Sequence, residues 1–251
     1  MSDLMIWCGP VEQRNLAGVK WQRPTGVYTV GGVGSDYFSG LGRSLAPGIV
    51  GKLANKWCAQ VNPPRPAPDR IAMASFSAGH GLIEVTCQEP ASLSQLRAIC
   101  ACDSYYVGTQ GQIKPGYKAA CERAVAGDML VILTTGASGG LLPNGKPFPS
   151  SREAFAPLAD ELALTEIPWP EQAGNVPAPE RLRGRGLCFW LDYGKRFKHE
   201  EHALKIAPAV MTAMVAPYMA GNQWPPPASP PEDGTGGLLA LLALITLGVV
   251  V

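Results

Sequence analysis

Short apolar runs alternate with longer helix-type stretches along most of this chain, and that alternation limits the possible folds more than any other feature. The runs at 26–30, 70–75, 96–102, 129–134 and 186–192 are bounded by turn residues, as strands are. Between and after them, 41–60, 79–86, 116–126, 151–162 and 200–218 read as helices. This βαβ order predicts an α/β fold, a mostly parallel sheet flanked by helices, because parallel neighbours need long crossovers and helices supply them. In such sheets ligands bind beyond the carboxyl ends of the strands, so the residues where strands stop are the informative ones.

With 46% hydrophobic residues among 251, the chain can bury one sizeable core, which excludes disorder throughout. Lys and Arg number 21 against 20 Asp and Glu, and a net charge of +1 supplies no strong field for a phosphate backbone. Nucleic acid is therefore not an expected partner. The 29 Gly and 24 Pro predict abundant loops. Seven cysteines (Cys8, Cys58, Cys87, Cys100, Cys102, Cys121, Cys188) are scattered without zinc spacing and read as reduced core thiols. The set Cys100, Cys102, Asp103 and His80 lacks a second ligand cluster, so no metal is expected, and no organic cofactor either. The start, MSDLMIWCGP, has neither a basic region nor a long apolar one, so no cleavable secretory signal is expected.

The composition changes abruptly near the C-terminus, which divides the chain into a domain (1–221), a linker (222–237) and an apolar segment (238–251). The linker, NQWPPPASPPEDGTGG, favours extended spacing, and LLALLALITLGVVV follows it without a charge. With Gly236 and Gly237 the segment makes a helix of about 24 Å, short against a hydrocarbon core of roughly 30 Å. It is apolar all round, unlike a core helix with a polar face, and reads as a C-terminal hydrophobic helix that anchors the protein to a membrane. A lipid-anchor processing signal has the same outline, and nothing flanking the segment indicates a side of the membrane.

The run from Arg70 to Gly81 puts Ser77 at a strand-to-helix turn between small neighbours, Ser75 and Gly79. A nucleophile elbow needs that pattern, since the turn strains the serine backbone and lifts its hydroxyl above the sheet. Ser75 stands where the usual motif has glycine. The amide of Ala78 opens the following helix, where an oxyanion donor belongs. Asp103 ends the next strand and could orient a histidine. Of the three histidines, His80 lies on the helix leaving the elbow, whereas His199 and His202 follow the last strand. A loop there can carry an imidazole over the sheet, giving the chain order Ser, Asp, His.

The phrases SFSAGHG, CDSYY and KHEEHALKIAP, within a match over 26–218, resemble a small serine hydrolase of the α/β-hydrolase superfamily. The resemblance implies Ser77 as nucleophile, Asp103 as acid and His199 as base, with His202 and Asp192 as the alternative base and acid. The loop at Gly31 and Gly32 resembles the one that supplies a second oxyanion amide; read instead as a dinucleotide site, GGVGSD lacks the GxGxxG spacing. In the long loop before the last strand, Leu142, Phe148, Phe155 and Trp169 are expected to line an acyl or aromatic pocket. The expected activity is hydrolysis of an ester, or less readily an amide, through an acyl-enzyme, on a small molecule or a lipid or envelope ester. The alternative is a membrane-anchored structural or binding protein on a hydrolase scaffold without catalysis.

Overall fold

The computed structural model describes residues 2–9, 16–32, 34–61, 63–106, 112–137, 139–141, 147–170 and 173–222. Its chain order is β1 (Asp3–Cys8), β2 (Thr25–Val30), α1 (Ser35–Leu45), α2 (Ile49–Gln60), β3 (Ile71–Phe76), α3 (His80–Gln88), α4 (Pro90–Leu93), β4 (Leu96–Cys102), α5 (Pro115–Val125) and β5 (Leu130–Thr135). A small hairpin of β6 (Gly140–Leu141) and β7 (Pro147–Phe148) follows, then α6 (Ser151–Glu161), β8 (Thr165–Glu166), β9 (Arg181–Arg185), β10 (Cys188–Asp192) and a last helix, His199–Ala220. Eight strands make one sheet in the order β2-β1-β3-β4-β5-β10-β9-β8. It is parallel from β2 to β10 and antiparallel at β9 and β8, so the fold is α/β with a mostly parallel sheet flanked by helices.

Both faces of the sheet are covered, which explains why β1, β3 and β5 are buried along their whole length and read as continuous apolar runs. Alternate side chains serve opposite layers. Leu4, Ile6, Met73 and Val131 pack with helices α1, α2, α3, α5 and α6, whereas Met5, Trp7, Ala74 and Ile132 pack with the last helix. The connection from β1 to β2 steps one way across the sheet, and β3, β4 and β5 step the other way. The reversal lies between β1 and β3, and a crevice forms beyond the strand ends at such a reversal.

Three elements differ from the sequence expectations. β1 was not expected; its six residues DLMIWC lie at the chain start, have no period, and include a buried aspartate, Asp3, that pairs with Arg23 at 3.2 Å. The expected helix at 41–60 is two helices, because Pro47 has no N–H to continue α1 and Gly48 takes a left-handed backbone, φ +83°. The Glu89 carboxylate accepts the amides of Gly48 and Ile49 and so completes the start of α2. The last strand begins at Cys188 rather than 186, since Gly186, at φ +56°, turns the chain out of the unexpected strand β9.

In the last helix, Pro208 and Pro217 each follow a widened turn in which an amide reaches back five residues, Ala207 to His202 and Ala216 to Met211. The wider turn accommodates a residue that lacks an N–H and crowds the preceding carbonyl. The helix is long and apolar enough to cross a membrane, but 56% of that stretch is buried, with Ile206, Val210 and Met214 among the core of the second face. Residues 223–251, which hold most of the linker and the expected anchor helix, lie outside the described residues.

Candidate active site

Ser77 leaves the carboxyl end of β3 with φ +53°, a left-handed backbone that costs a non-glycine residue on the order of 1 kcal/mol and persists only where the surroundings impose it. The surroundings here are tight. A Cβ on Gly79 would lie 2.0 Å from the carbonyl oxygen of Cys8, so only glycine lets this turn press against the end of β1. A Cβ on Gly81 would meet the Ser35 carbonyl at 2.6 Å, which sets how closely α3 approaches α1. Ser75 is fully buried beneath the turn, and Ser77 and Ala78 are half-buried. The Ser77 carbonyl accepts hydrogen bonds from Ser104 Oγ at 2.9 Å and His80 Nδ1 at 3.0 Å. Burial lowers the His80 pKa to about 4, Lys114 adding to the effect, so His80 is a neutral donor that braces the turn from behind.

Asp103 follows β4 directly, also with a left-handed backbone, φ +43°, and is fully buried. Its Oδ1 accepts from the Gly136 amide at 3.2 Å and from Ser151 Oγ, and its Oδ2 lies 2.6 Å from His199 Nδ1. Burial pushes this carboxyl up, but the hydrogen bond from His199, the nearby His202 ring and the hydrogen bond from Ser151 together bring it below the ordinary range. Ser151 is presented by the start of α6, where Ser150 and Glu153 form a reciprocal capping box. The motif SSRE is a sequence signal for that helix start and could have located Ser151, as well as the Gly136 amide opposite it.

His199 is the first residue of the last helix, with its side chain 30% exposed. Its ring stacks on Phe76, the residue before Ser77, with centroids 4.5 Å apart, and Tyr106 Oη lies 3.3 Å from its Nδ1. An imidazole whose Nδ1 proton is directed at a buried carboxylate keeps Nε2 available as a proton acceptor. Asp103 and His199 are thus brought together beside the serine turn, while among the described residues no hydrogen bond joins the Ser77 hydroxyl to His199. Such bonds are often long before substrate binds.

The other expected residues lie elsewhere. His202 is fully buried one turn further along the helix, with Nδ1 3.2 Å from Thr134 Oγ1. Asp192 ends β10 and faces Arg152 Nε at 2.9 Å and the Gly194 amide at 3.1 Å, not a histidine. Burial raises its carboxyl above the ordinary range, which these two partners only partly offset. Gly32 leaves β2, the edge strand, with β1 between it and β3, and the backbone that meets the elbow is instead Cys8–Gly9. Phe155 is a core residue at 0% exposure, edge-on to Trp190 and Tyr105, and lines no acyl pocket. Trp169 borders a surface cavity of about 470 Å³ with Ile167 and Leu182 at the opposite edge of the sheet. Leu142 and the side chain of Phe148 are outside the described residues.

All seven cysteines are free, Cys58 half-buried and the others buried, and among the described residues no three His, Cys, Asp or Glu gather as a metal site would require. No family model matches this chain, and no curated protein matches it.

Proposed function

We propose that the protein is a serine hydrolase that cleaves an ester through an acyl-enzyme. The observation that carries this reading is His199 2.6 Å from the buried Asp103 carboxylate, beside the strained turn that bears Ser77. As Ser77 Oγ bonds to the substrate carbonyl carbon, its proton passes to His199 Nε2, and Asp103 holds the resulting imidazolium in place. The C–O bond to the alcohol then breaks, and the alcohol leaves with that proton. Water next gives a proton to His199 and attacks the acyl carbon, and the acid departs as the proton returns to Ser77. The Ala78 amide, next after the nucleophile, serves as oxyanion donor in this reading, and each such donor is worth about 3 kcal/mol of barrier. Substrates are small-molecule, lipid or envelope esters, and residues 238–251 tether the protein to a membrane.

The test is labelling of residues 1–222 by a fluorophosphonate, beside Ser77→Ala and His199→Ala. Labelling of the wild type alone is the expected result. A folded wild type that takes no label overturns the hydrolase reading and favours the anchored scaffold, which the missing Ser77–His199 hydrogen bond otherwise supports.

A further inference from the structure

We propose that His202 is a positioning residue of this site, a neutral imidazole whose Nε2–H steadies the Asp103 carboxylate across the space left by Gly136; the inference rests on the hydrolase reading. His202 is completely buried, and among the described residues its Nε2 has no hydrogen-bond partner. An unpartnered buried polar atom is costly, so its surroundings are informative. A Cβ on Gly136 would lie 3.1 Å from His202 Nε2 and 3.6 and 3.7 Å from the two oxygens of Asp103. The imidazole Nε2 and the carboxylate therefore both border one side-chain-free space.

In this proposal the opposite edge of the ring assigns the tautomer. Thr134 Oγ1 accepts a hydrogen bond from the Asp103 amide at 3.3 Å and lies 3.2 Å from His202 Nδ1, within reach to give that nitrogen its proton. With Nδ1 accepting, the proton of the neutral ring sits on Nε2, toward the space shared with Asp103. Tyr193 and Phe197 stand edge-on to the ring, at centroid distances of 5.7 and 6.4 Å, and hold its orientation. The titratable groups that face it are Asp103 from β4, Tyr193 from the loop after β10, and His199 and Glu201 from its own helix. Burial, with His199 adding to it, disfavours the charged ring more than Asp103 and Glu201 favour it. The carboxylate thus receives a donor that does not compete as a cation with His199.

Two isosteres separate the ends of the ring. His202→Gln keeps a donor where Nε2 stands, and His202→Asn keeps a group only where Nδ1 stands. Esterase kinetics on a soluble short-chain ester should show kcat roughly tenfold lower for His202→Asn with KM unchanged, and close to wild type for His202→Gln. A packing role alone would not be restored selectively by His202→Gln. Histidine ring ¹⁵N spectra, which need no turnover, should show His202 neutral and protonated on Nε2 at neutral pH. A His202 that is protonated on Nδ1 or charged at neutral pH, or an Asn variant that matches wild type while Gln does not, overturns the proposal. Failure of the wild type to label with fluorophosphonate overturns instead the reading on which it rests.

Discussion

Two buried carboxylates stand on either side of the end of β5, Asp103 after β4 and Asp192 at the end of β10, and their chemistry is opposite. Consecutive residues at the start of α6 serve them, Ser151 for Asp103 and Arg152 for Asp192. The neutral partner accompanies the lowered pKa and the cationic partner accompanies the raised one. The partners explain the inversion. Burial alone raises both groups, but Asp103 takes the hydrogen bond from His199, to which His202 and Ser151 add, whereas Asp192 has the Gly194 amide and Arg152, a side chain 36% exposed whose charge water screens.

The largest expected difference between the two sites is in turnover. Asp103→Asn should lower kcat by about 10⁴ while Asp192→Asn stays within about threefold, measured on one soluble ester. Equal losses would mean that the two carboxylates share the role assigned here to Asp103. Ser151→Ala removes one dry donor and should cost about tenfold in kcat, since a buried acceptor left short of a partner costs about 1–3 kcal/mol. A stability series by urea titration at stepped pH separates the pair further. The Asp103 contribution is present above the ordinary 3.8 and is lost as pH falls through its lower folded value. Asp192 has the reverse sign: with a folded value above 3.8, it makes stability decline as pH rises from 3.8 through that value. Asp192→Asn should remove this decline and leave the acid side unchanged. The smallest effect is expected for Arg152→Gln, less than about 1 kcal/mol, because the guanidinium is wet.

Much of this arrangement was readable before the fold was in hand. The strands at 70–75, 96–102 and 129–134 were legible because short apolar runs between turn residues have few other uses, and they place Ser77 and Asp103 at strand ends. β1 was not legible, since DLMIWC lacks the alternation of a half-covered strand and gives no reason to be central. The Gly31–Gly32 loop resembles one that supplies an oxyanion amide, but β1 separates its strand from β3. The two late histidines differ only in being three residues apart. Which one faces Asp103 Oδ2 and which is enclosed by Tyr193 and Phe197 depends on how the last helix starts and on its widened first turn, and neither has a residue-by-residue signature. Ser151 and Gly136 come from segments that meet only in three dimensions.

The last helix also sets where the chain leaves the domain. It begins at His199 near the carboxyl ends of the strands and, over 22 residues or about 33 Å, runs to the opposite end of the sheet, where the Arg70 guanidinium holds the Met219 carbonyl and Asn222 bonds to Gln22 at 2.9 Å, just ahead of β2. The chain therefore leaves the described fold at the amino-terminal ends of the strands, diametrically away from Ser77. Under the proposed tether, the connection to the membrane joins the domain on the side away from Ser77, so a substrate reaches the serine without passing the point of attachment.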